Sequence, residues 1–142
     1  MNKIIKILII ALTFGACNTQ ESKLLDDVKL DNGVAWNANI ETTNGMHSMQ
    51  EVILAFRKQN IDSLSKTEKI EVYNTVNLEL KKEFNLIIKS CSMKGEAHNQ
   101  LHNYILPMLK MFEGIGSNDI LIIENNFQAL DYRLEFYQVY FK

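Results

Sequence analysis

Twelve consecutive residues hold most of what could do chemistry in this chain. Cys91-Ser92-Met93-Lys94-Gly95-Glu96-Ala97-His98-Asn99-Gln100-Leu101-His102 contains one thiol, one thioether and two of the three histidines. The pattern is C-x-M-x4-H-x3-H. On a helix, His98 and His102 lie one turn apart on the same face, where two imidazoles can share one ion. A thiolate and a thioether beside them favour soft ions, copper(I) first. Met46 and Met49 are candidates for a further place in the coordination set. The same residue types also serve as packing: paired histidines on a helix are common, and methionine fills cores. Metal ligation and packing both stand as readings of these positions.

Two other chemistries fit part of the pattern. Cys91 could act as a nucleophile with His98 as base, but the sequence offers only Glu96 to orient the imidazole, so no enzymatic activity is expected. A methionine from the first helix and a histidine from the third could ligate haem without covalent attachment. That arrangement resembles the four-helix b-type cytochromes, which take their histidine from the last helix instead. Sharper motifs are absent: there is no HExxH, C-x-x-C, C-x-x-C-H, P-loop or GxSxG, and no repeated Glu-x-x-His of a di-iron bundle.

Positioning these residues requires helices, and the hydrophobic period supplies four. After a Thr42-Thr43-Asn44 cap region, Met46, Met49, Ile53 and Phe56 form a stripe on a helix over 43–60. Ser65 and Glu68 match a capping box opening a second helix over 66–90, with Ile70, Tyr73, Val76, Leu80, Phe84, Ile87 and Cys91 along one side. A third helix over 95–113 turns Ala97, Leu101, Tyr104, Ile105, Met108 and Phe112 inward and carries Pro107, which predicts a kink near Asn103. The fourth, over 118–141, repeats Ile120, Ile123, Phe127, Leu130, Leu134, Tyr137 and Phe141 at steps of three and four.

Short links between such helices favour antiparallel neighbours. The expected fold is therefore an all-α, up-down-up-down four-helix bundle over 42–142. One pole of that bundle would collect Met46, His47, Met49, Cys91, Met93, His98, His102, Tyr137 and Tyr140. Ahead of it, Val28 to Trp36 alternate in polarity around Asn32-Gly33, which reads as a short hairpin or extended strap in the segment 17–41. Trp36 is expected to pin this strap to the domain. Tyr132, Phe136, Tyr137, Tyr140 and Phe141 are more aromatic surface than one stripe buries; the strap covers the excess, or it serves an envelope protein partner.

The chain begins with Lys3 and Lys6, an apolar run over residues 7–14 broken by Thr13, and then Gly15-Ala16-Cys17. This is the layout of a cleavable export segment and is too short for a membrane span. Phe14-Gly15-Ala16-Cys17 resembles the lipobox of bacterial lipoproteins. The resemblance implies that residues 1–16 are removed and that Cys17 is lipidated as the new N-terminus. It further implies residence in the cell envelope, at the outer membrane and facing the periplasm, since Asn18 is not the retention aspartate. Two or more acyl chains anchor stably without help from an amphipathic helix.

Removing residues 1–16 leaves 126 of the 142 residues, enough for one domain with a sizeable core, and 13 Lys+Arg against 17 Asp+Glu. A mildly acidic domain without a basic stripe is unsuited to nucleic acid. With Cys17 taken by lipid, Cys91 is the only thiol remaining and cannot form an internal disulfide.

Overall fold

The computed structural model describes residues 25 and 27–142; the export segment, Cys17 and the polar stretch 18–22 lie outside the described residues. Among the described residues the protein is all-α. The helices are α1 (Ile40–Arg57), α2 (Lys66–Ser90), α3 (Gly95–Ile115), α4 (Ile120–Glu135) and a single turn, α5 (Tyr137–Tyr140). The most extensive packing is α1 on α2 and α3 on α4, with further contacts of α4 with α1 and α2, and of α2 with α3. No helix among the described residues is long and apolar enough to cross a membrane.

The core forms where the stripes meet. Met46, Met49, Ile53 and Phe56 of α1 are buried, as are Tyr73, Val76, Leu80, Phe84 and Ile87 of α2. Leu101, Tyr104, Ile105, Met108 and Phe112 of α3 join Ile123, Phe127, Leu130 and Leu134 of α4. Each such side chain taken from water contributes about 1.5–3 kcal/mol. Phe56, Tyr73 and Phe127 form one aromatic cluster, with ring centroids 4.6 to 5.2 Å apart. Between α1 and α2 the backbones come close at Gly45, where an added Cβ would lie 2.3 Å from Cγ1 of Ile87.

Helix α2 opens as its sequence requires. The Ser65 side chain accepts from the Glu68 amide, and the Glu68 carboxylate accepts from the Ser65 amide at 2.8 Å. The Ser65 side chain and then its amide hold the Glu68 carboxyl below the ordinary carboxylate range. Ser65→Ala is expected to cost about 1 kcal/mol of stability in denaturant titration at neutral pH. Because the folded-state pKa of Glu68 is depressed, its share is present above the unfolded-state value. It is lost as pH falls through the folded-state value, so the difference from wild type shrinks in acid.

The helix ends differ from the periodicity by two or three residues at the end of α1, the end of α3 and the start of α4, and two further ends have a visible cause. α1 starts at Ile40, ahead of the expected 43, because Asn39 is tied down from outside the helix. Its Nδ2 donates to the Ser90 carbonyl at 3.2 Å, and its Oδ1 accepts from the Thr42 hydroxyl at 2.7 Å. α4 stops at Glu135 instead of running to 141. Past the turn of α5 the chain is extended at Phe141 and pairs in parallel with Trp36. The Trp36 amide donates to Tyr140, the Lys142 amide to Trp36 and the Ala38 amide to Lys142, at 2.8 to 2.9 Å. Tyr137 and Phe141 stay buried, so the stripe marks the core correctly even though the helix ends early.

The described residues before α1 are fastened at several points. Leu25 and Val28 are buried in the core cluster. The Lys29 amide donates to Gln100 Oε1 at 2.7 Å, Asn103 Nδ2 donates to the Asp27 carbonyl at 3.0 Å, and Trp36 Nε1 donates to the Lys29 carbonyl at 2.6 Å. Asp31 and Val34 exchange both backbone hydrogen bonds across Asn32-Gly33, whose φ values of 49° and 86° are those of a type I′ turn.

Pro107 lies within α3, and its missing amide leaves the Asn103 carbonyl without its helical donor. Arg133 of α4 supplies one. Although only 1% exposed, it donates from Nη2 to the Asn103 carbonyl at 2.9 Å and from Nε to the adjacent Tyr104 carbonyl. The Tyr104 hydroxyl donates back to the Arg133 carbonyl, and the guanidinium carbon sits 5.1 Å from the Tyr104 ring centre. Burial lowers the Arg133 pKa and raises that of Tyr104, and their mutual interaction offsets part of each shift.

Candidate functional site

The reversal between α2 and α3 brings the thiol to the imidazole. Cys91 follows the last residue of α2 in an extended conformation (φ −64°, ψ 116°), and Ser92 to Lys94 carry the chain to Gly95, where α3 begins. His98 then lies in the first turn of α3. Its Nδ1 is 3.5 Å from Cys91 Sγ, in a half-buried position. One turn further on, the His102 ring stands 4.2 Å from the His98 ring, centre to centre, at 52°. Thiol, first imidazole and second imidazole thus form a row running from the half-buried loop out to solvent.

The other proposed ligands differ in burial. Met93 is half-buried and packs against the core, while Met46 and Met49 are fully buried within it. His47 meets Gln138 instead, with Nε2 of each 3.2 Å apart. Tyr137 pairs its hydroxyl with that of Thr43 at 3.0 Å. Among the described residues, no group of three His, Cys, Asp or Glu side chains is arranged to hold a metal ion. What the structure brings together is the Cys91–His98 pair with the His102 ring tilted against that of His98.

Glu96, the carboxylate in the same turn as His98, is engaged elsewhere. It accepts from Gln100 Nε2 at 2.7 Å and from Asn99 Nδ2 at 3.2 Å. These two bonds, in that order, hold its carboxyl below the ordinary range, with a smaller contribution from Lys29. A surface cavity of about 400 Å³ opens beside His102, between Asp27, Lys29, Asn103, Leu106 and Pro107.

Sequence reasoning treats charged side chains as solvated surface and so passes over Arg133. Two signals were present in the chain. Arg133 is three residues after Leu130, on the buried side of α4, and a proline inside a helix leaves a carbonyl in need of a donor. No protein family, curated protein or solved structure matches this chain.

Proposed function

We propose that this protein is a lipid-anchored cell-envelope protein that binds a soft metal ion, copper(I) first, between Cys91 and His98. Met93 and His102 flank the pair in this reading. The domain is taken as an up-down-up-down bundle closed by the 27–38 segment, held through lipidated Cys17 at the outer membrane and facing the periplasm. Its role is binding and not catalysis: the carboxylate beside His98 is already committed to Asn99 and Gln100.

The observation that carries the metal reading is the 3.5 Å separation of Cys91 Sγ and His98 Nδ1. Two ligands at zinc-like bond lengths, about 2.3 Å for sulfur and 2.0–2.1 Å for nitrogen, are about 3.5 Å apart at a tetrahedral angle. An ion could therefore replace the proton between them with little movement of either side chain. A thiolate and an imidazole in a half-buried loop suit copper(I), which soft sulfur donors select.

The test is a copper(I) competition titration against a chelator, under reducing conditions, with zinc(II) in parallel. One ion per chain is expected, bound more tightly than by a Cys91→Ser, His98→Ala variant. Because a thiol proton must leave before sulfur binds, affinity falls on acidification. Equal affinity of wild type and double variant for both ions contradicts the proposal.

A further inference from the structure

We infer that the exposed face of α3 around Leu106 and Leu109 rests on the surface of a phospholipid bilayer; this depends on the lipidation of Cys17 proposed above. The argument starts from where the chain enters the domain. Leu25 is already buried, and the Asp27 carbonyl is held by Asn103 in the middle of α3. Seven residues lie between Cys17 and Leu25, and the eight Cα-to-Cα steps span at most about 29 Å even when fully extended. That is no more than the length of α3, whose 21 residues rise about 31 Å. A lipid on Cys17 therefore keeps Leu25, and the Asn103 side to which the entering chain is fastened, within about 29 Å of the bilayer.

Two half-exposed leucines stand among the polar residues of that side. Leu106 is 49% exposed and Leu109 is 46% exposed. Asn103, Leu106 and Lys110 follow one another at steps of three and four, and Leu109 lies beside them, so all four share the outward face of α3. The surface cavity opens on the same face. Leu106 and Pro107 form one part of its lining, and Asp27, Lys29 and His102 another. An ammonium and an imidazole next to a carboxylate match the phosphate and amine of a zwitterionic headgroup, with the leucines placed for the acyl boundary. Asp27 and Glu113 balance Lys29 and Lys110, so contact depends on the leucines and not on anionic lipid.

The test uses the lipidated full-length mature protein in phosphatidylethanolamine–phosphatidylcholine vesicles. Leu109→Trp is compared with Leu78→Trp, whose site on α2 is 69% exposed, each measured against the parent chain carrying Trp36 alone. Quenching by lipids brominated on the acyl chain is expected to be at least about twofold stronger for the added tryptophan at 109, since an interfacial face sits about 5–10 Å into the headgroup–acyl boundary. Equal quenching at both positions, or none at 109, overturns the inference while mass spectrometry shows the lipid on Cys17. A mass without lipid overturns the anchoring itself and the inference with it.

Discussion

Arg133→Ala is expected to lower the unfolding free energy by about 3–5 kcal/mol, read as a fall in urea midpoint at unchanged slope. The part-buried Asn103 carbonyl and the buried Tyr104 carbonyl lose their guanidinium donors, at about 1–3 kcal/mol for a carbonyl left unpaired. The side chain is also among the largest fully buried ones, so its removal leaves a cavity between α3 and α4. Arg133→Lys should cost less, since an ammonium can serve one of the two carbonyls but lacks the planar fork. The proline is the reason the arginine is needed. In a Pro107→Ala background the restored amide can bond to the Asn103 carbonyl, so Arg133→Ala should cost about 1 kcal/mol less there. Strict additivity of the two substitutions would mean that Arg133 does not serve the proline break.

Cys91→Ser is expected to weaken copper(I) binding by more than about 100-fold. Even changes outside the ligand shell cost roughly 10–100-fold, and this one replaces a soft thiolate with a hydroxyl. His98→Ala should have a comparable effect, because its Nδ1 is the atom that faces the sulfur. His102→Ala should cost much less: that ring lies tilted against His98 and is exposed. Competition titration of the three variants at one pH reads these differences, and losses in His98→Ala and His102→Ala with none in Cys91→Ser would point to an imidazole pair in place of the thiol–imidazole pair.

How far the chain could be read depended on the range of the interaction involved. The helical period marks the core residues of all four long helices, because burial of one face is a local property repeated every three or four positions. The bounds of α2 were legible because Ser65 and Glu68 cap it from within its own first turn. The start of α1 was not, since Asn39 is held by Ser90, 51 residues away. The end of α4 was missed for the same reason: Trp36 pairs with the backbone of Tyr140 and Lys142 across more than a hundred residues. At the site, Cys91 and His98 are only seven residues apart, so a helix end and the next helix start suffice to bring them together. The burial of Met46 and Met49 in the core and the contact of His47 with Gln138 depend on the relative rotation of α1, which no spacing encodes. Arg133 was hidden because its buried position answers a defect on another helix.

X-ray absorption at the copper edge of the copper(I)-loaded protein tests the central claim most directly. Ligation between Cys91 and His98 predicts one sulfur and at least one imidazole nitrogen in the first shell. In Cys91→Ser the sulfur scatterer is lost, and in His98→Ala the imidazole contribution falls. A first shell that keeps its sulfur and its imidazole unchanged in both variants, or a wild-type shell without sulfur, would contradict it.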